Sequence, residues 1–221
     1  EPQVTQTIDP GVPATATPVP YTPTSTATLT PTDIPPPIAT STPAGCPNFA
    51  AGGNITMTAS CTMDTAATIA SNTTIEGGGF TLTASGLGTS EAGRHFLVNA
   101  SVTLTINNLT LTGGVDPYSG GSIYNNGTLI MSGSTVTGNS TNNNSVDPLV
   151  GGGALNNSST GTMTITNSNI NNNSTPDRGG GILNGNTGNT LTITDTTFTG
   201  NSPNHVFGSY TDGEGNTFIN P

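Results

Sequence analysis

The sequence predicts an all-β fold, a single parallel β-helix (β-solenoid) preceded by an extended Pro/Thr-rich N-terminal arm, and three observations predict it. The first is a repeat: Gly120-Gly121-Ser122-Ile123-Tyr124-Asn125 to Ser140, Gly151-Gly152-Gly153-Ala154-Leu155-Asn156 to Ser174, and Gly179-Gly180-Gly181-Ile182-Leu183-Asn184 to Ser202 share one pattern. Self-similarity at a period of about 25 to 35 residues marks a solenoid, whose units bury their apolar faces against one another. The second is a set of apolar columns. Ile106, Met131, Ile165 and Ile193 close one strand per repeat, and Leu111, Val136, Ile170 and Phe198 follow in the next; all are expected core. The third is a set of corner columns. Asn108, Gly133, Asn167 and Asp195 form one, and Gly113, Gly138, Asn172 and Gly200 a second, all residue types that tolerate a left-handed backbone. Gly114, Asn139, Asn173 and Asn201 follow the second, and Asn99, Asn125, Asn156 and Asn184 are placed at a third. Three corners per repeat imply three short strands per turn. Stacked Asn side chains there are expected to form ladders that satisfy each other and the turn backbone.

Residues 1–45 form the arm: Pro and Thr dominate and no helical period appears. A polyproline II chain rises about 3.1 Å per residue and would reach roughly 140 Å, far beyond a stack of coils spaced about 4.8 Å apart. Its scattered apolar residues, Val4, Ile8, Val12, Val19, Tyr21, Leu29, Ile34 and Ile38, are candidate anchors on neighbouring subunits. A disordered or O-glycosylated stalk is the alternative, with sugar at Thr22, Thr24, Thr26, Thr28 and Thr30. Residues 46–221 form the β-helix, with irregular first coils over 46–93, regular repeats over 94–206 and a C-terminal cap over 207–221, a final irregular coil in which Phe218 and Ile219 fold back. Period-two alternation supports strands in the first coils, at Asn54–Thr58, Ala67–Ala70 and Thr74–Thr83. Cys46 and Cys61, fifteen positions apart and outside any metal spacing, are read as a disulfide over the first coil. A loop of that size contributes about 3 kcal/mol in the chain-entropy model. Two reduced, buried thiols are the alternative.

Composition narrows the function. The chain has 221 residues, a net charge of −10, a pI near 4.1 in its sequence, and only two cationic side chains, Arg94 and Arg178. It has no means of neutralising a run of phosphates, which excludes nucleic acid as a partner and matches anionic membranes poorly. Charged residues are 6%, against about 25% in ordinary proteins, a profile of exported or surface material. No apolar run approaches the roughly 20 residues that span a bilayer, and no signal-peptide pattern is present, so Glu1 is expected to be a mature or trimmed start.

The stretch Ile75–Thr83, then Arg94–Val98 and Val102–Gly114, followed by Gly120-Gly121-Ser122-Ile123 and Phe198-Thr199-Gly200-Asn201, resembles bacterial right-handed β-helix surface proteins. The glycine openings and the last motif are similar to the GGA(I/L/V) and FxxN repeats of the polymorphic outer membrane protein family. The resemblance covers roughly 50–206. It implies a right-handed helix and an exported, often adhesive protein. Val136 and Ile170 replace Phe in the other repeats, and no membrane barrel follows Pro221, so anchoring of that family's kind is not implied.

Candidate chemistry is sparse. Asp116, Asp147 and Asp177 recur before the glycine openings, and a stack of carboxylates is a Ca²⁺ donor set or, in a β-helix hydrolase, an acid and base. Asp-Pro is also an ordinary turn opener, and no other cofactor is implied. Arg94-His95 reads as a surface pair where a strand opens, and His205 has no evident partner. Thr103/Thr105, Thr162/Thr164 and Thr190/Thr192 fit a Thr-x-Thr array like that of ice-binding solenoids, interrupted by Ile130; Thr also suits any half-exposed strand. Asn-x-Ser/Thr occurs at many positions, Asn126 and Asn157 among them as possible glycosylation sites. The glycine openings precede neither Lys nor a helix and do not cradle phosphate. The expectation is a non-enzymatic extracellular or cell-surface structural protein, a fibre subunit associating head-to-tail with its own kind through the arm, with a glycan-binding adhesin as the alternative. A polysaccharide-active enzyme and an ice-binding protein stand behind these.

Overall fold

The computed structural model describes residues 45–85, 93–142, 150–158 and 160–219. The chain divides into Glu1–Thr40 and Ser41–Pro221. The arm with its apolar anchors and threonines, and Asp147, lie outside the described residues.

Three parallel sheets of seven, seven and six strands wrap one core, and each strand pairs with its counterpart one turn on. The first sheet runs from Gly53–Thr56 to Thr211–Asp212, the second from Cys61–Met63 to Thr217–Ile219, the third from Ala67–Ile69 to Val206–Gly208. This is a parallel β-helix. Alternation dictates it: in Thr103–Asn107, Leu104 and Ile106 point inward and are fully buried while the threonines between them face out. The predicted columns are real ladders. Ile75, Ile106, Met131, Ile165 and Ile193 stand in one register, and Leu82, Leu111, Val136, Ile170 and Phe198 in another, all at 0% exposure. Both predicted left-handed corners are present, with Asn108, Gly133, Asn167 and Asp195 at φ 51°, 59°, 47° and 48°, and Gly113, Gly138, Asn172 and Gly200 at 78°, 64°, 53° and 63°.

The two ends differ. At the start, Cys46 and Cys61 are bonded, and a 3-10 turn, Phe49–Ala51, inserts Phe49 into the core with its ring edge-on to Phe96 at 5.4 Å. At the other end the expected final coil is more regular than predicted. Residues 206–219 make a further coil in register with all three sheets. Phe218 continues the Phe198 column, its ring stacked on Phe198 at 4.9 Å. Because nothing described covers it, Phe218 is 37% exposed and its neighbour Ile219 50%. The alternation that placed Phe198 inward continues through this last coil.

Candidate functional site

The aspartates do not converge. Asp116 pairs in register with Thr141, whose hydroxyl bonds Thr175, so Asp177 lies two residues beyond that column. Asp116 is fully buried and fully used: Arg94 Nη2 and Nε donate to Oδ2 at 2.6 and 3.0 Å, and the amides of Tyr118 and Ser119 donate to Oδ1 at 2.9 and 3.0 Å. A carboxylate neutralised in this way is neither a free Ca²⁺ ligand nor an accessible acid or base. Asp177 stands 3.9 Å from Arg178 Nε, and its Oδ2 is buried without a partner. Among the described residues no three His, Cys, Asp or Glu side chains gather around a common point.

Arg94-His95 is not a surface pair. Arg94 is 6% exposed and lies over the Tyr124 ring at 5.0 Å, and Arg178 repeats the arrangement over Phe207 at 5.1 Å. Tyr124 and Phe207 share the outward column of the third sheet, so each cation covers an aromatic ring there. His95 is wholly buried, with Nε2 at 3.1 and 3.2 Å from the carbonyls of Leu82 and Thr112 and Nδ1 at 2.9 Å from Ser122 Oγ. Carbonyls only accept, so Nε2 carries the proton and Nδ1 accepts from the serine. Burial pushes the His95 pKa down to about 4, the hydrogen bonds to carbonyls opposing it in part. Sequence reading missed these contacts because Asp116 and Thr112 reach Arg94 and His95 only after a full turn of the helix.

The Asn ladders form, with one register corrected. Asn139, Asn173 and Asn201 stack as expected: Asn139 Nδ2 donates to Asn173 Oδ1 at 3.0 Å and Asn173 Nδ2 to Asn201 Oδ1 at 2.9 Å. Their backbone amides donate to the same oxygens, and Gly114 N to Asn139 Oδ1. At the third corner the ladder is Asn125, Asn157 and Asn184, linked at 2.8 Å each. Asn156 pairs with Tyr124 and Leu183 on the outward side, and Val98, not Asn99, stands opposite Asn125. The middle repeat carries two consecutive asparagines, and the glycine opening holds an extra residue there, which slid the alignment by one. Asn157 is therefore buried in the ladder and offers no accessible amide for glycosylation, whereas Asn126 is half-buried in the turn. A further ladder was not legible in the sequence: Ser134, Ser168 and Thr196, all buried, donate to the carbonyls of Ser132, Thr166 and Thr194, and Ser134 and Ser168 also accept from the amides of Leu109 and Ser134. A hydroxyl directly after a left-handed corner is polar in composition, and no pattern in the sequence shows that it faces inward.

Two surfaces remain unexplained by folding. One is the outward face of the first sheet, where Thr103, Thr128, Thr162 and Thr190 form one column and Thr74, Thr105, Ile130, Thr164 and Thr192 the next. None of these threonine hydroxyls bonds a protein group among the described residues. The other is the terminal coil, whose three strands have unpaired outer edges beside Tyr210, Phe218 and Ile219. A groove of about 260 Å³ lies there, lined by Pro203, His205, Tyr210 and Phe218 among others. In the first sheet, however, Asp212 takes the inward column position of Ile193 and is exposed.

No helix among the described residues is long and apolar enough to cross a membrane. Compared with family models, curated protein sequences and solved structures, the chain matches none of them.

Proposed function

We propose that this chain is an exported structural protein, a β-helix subunit that associates with further copies of itself through its terminal coil. The observation that carries this reading is the contrast between the ends. Phe49 and the Cys46–Cys61 bond cover the core at the first coil, whose strands are also the edges of their sheets, whereas among the described residues the last coil leaves Phe218 and Ile219 exposed beside its own strand edges. Open edges recruit further strands, and buried aromatic rings dominate the energetics of such contacts. Export is supported by the disulfide, which persists in oxidising compartments, and by the scarcity of charge. The Pro/Thr-rich arm supplies reach between subunits. Non-enzymatic action is supported by the commitment of Asp116 to Arg94.

Asp212 limits the association. An inward-pointing charge on an edge strand is a known protection against uncontrolled pairing, so contact is confined to the second- and third-sheet sides of the terminal coil. Sedimentation velocity of the full chain over a concentration series tests the proposal. The wild type should form larger species as concentration rises, Phe218→Glu should remain monomeric with an unchanged circular dichroism spectrum, and Asp212→Leu should associate at lower concentration. A wild type that is monomeric throughout, or a Phe218→Glu variant that associates equally well, overturns it.

A further inference from the structure

We propose that the outward face of the first sheet is a binding surface for an ordered water lattice, the face of an ice crystal. This rests on a different surface from the terminal coil and stands independently of self-association. Parallel strands repeat about 4.8 Å apart, and alternate residues along a strand about 6.7 Å apart. The threonines therefore form a two-dimensional grid of hydroxyls and methyls, with spacings similar to the oxygen repeats on exposed planes of ice. β-Branched side chains have few χ1 states, so stacked threonines hold their hydroxyls in fixed positions and lose little freedom on binding.

Three features of the face favour this occupant. Its hydroxyls are uncommitted, since those at Thr103, Thr105, Thr162, Thr164, Thr190 and Thr192 bond no protein group among the described residues. From Thr103–Asn107 through Thr190–Thr194 its outward positions carry no charged side chain, which would hold water in a geometry foreign to the lattice. They carry no aromatic ring either, so the stacking platform that a sugar ring needs is missing. The second sheet is a poorer candidate. Its strands of three or four residues give only two outward columns, Asn169 and Asn171 interrupt both, and Thr137 Oγ1 is bonded to Asn171.

Ile130 is the one apolar break in the grid, 39% exposed between Thr105 and Thr164. Its register makes the proposal testable in both directions. Thermal hysteresis and partition into a growing ice hemisphere are measured on the full chain. The wild type should depress the freezing point below the melting point and enter the ice. Ile130→Thr should enlarge the gap, Thr164→Lys should abolish most of it, and Thr135→Lys on the second sheet should leave it unchanged. Absence of hysteresis and exclusion from ice in both the wild type and Ile130→Thr overturns the proposal. So does an equal loss in Thr135→Lys, or retention on insoluble polysaccharide in place of ice.

Discussion

At the scale of the residue, the most consequential side chains are those the fold consumes. His95 folds neutral with a pKa near 4, whereas an unfolded chain protonates it near 6.5. Its contribution is therefore complete above about pH 6.5 and is lost as pH falls from there toward 4, because the unfolded state binds the proton first. At about 1.4 kcal/mol per pH unit of difference, the total is about 3 kcal/mol. Urea unfolding between pH 4 and pH 7 should show that loss, and His95→Gln, whose amide can still donate to the Leu82 and Thr112 carbonyls, should flatten it; a wild-type profile no steeper than the variant's contradicts this. Arg94 and Asp116 are likewise consumed by the fold, bonded to each other in the interior. In the sequence, an Arg-His pair and an Asp-Pro turn look like surface features. Their burial follows from stacking coils, which brings residues 22 positions apart within 2.6 Å. No local pattern signals that distance.

At the scale of the element, the repeating coil was largely legible. Strand alternation, both left-handed corners and the apolar columns follow from residue types that tolerate only one backbone or one side of a strand. What was not legible was register where two equivalent residues adjoin: with Asn156 and Asn157 both present, only pairing of the glycine openings shows that Asn157 faces inward. The difference is measurable. Asn157→Ala removes an acceptor for Asn125 Nδ2 and donors to the Gly161 and Thr190 carbonyls, all buried or partly so. Each orphaned group costs about 1–3 kcal/mol. Asn169→Ala, on an exposed outward position, should change stability by less than about 0.5 kcal/mol. Thermal or urea denaturation of the two variants decides it, and equal effects would place the ladder wrongly. The Ser134, Ser168, Thr196 ladder makes the complementary point, since a hydroxyl after a corner is polar in composition yet inward in position.

At the scale of the whole molecule, a first coil whose core is covered by Phe49 and a last coil that, among the described residues, leaves Phe218 and Ile219 exposed make the β-helix polar in its chemistry as well as its chain direction. The regularity of the last coil was not legible in the sequence periodicity. Phe218 and Ile219 are apolar in either a cap or a further coil, and only the pairing of Thr217–Ile219 with Thr197–Thr199 distinguishes the two. The long faces carry threonine and asparagine in place of charge, so contact through the end does not compete with strong fields along the sides. The central claim is that copies of this chain meet at the terminal coil, and hydrogen exchange of the full chain at several protein concentrations tests it most directly. Amides of residues 206–219 should become more protected as concentration rises, while those of Thr128–Ser132 in the middle of the first sheet stay constant. Exchange in the terminal coil that is independent of concentration, or protection that grows elsewhere instead, would contradict the account.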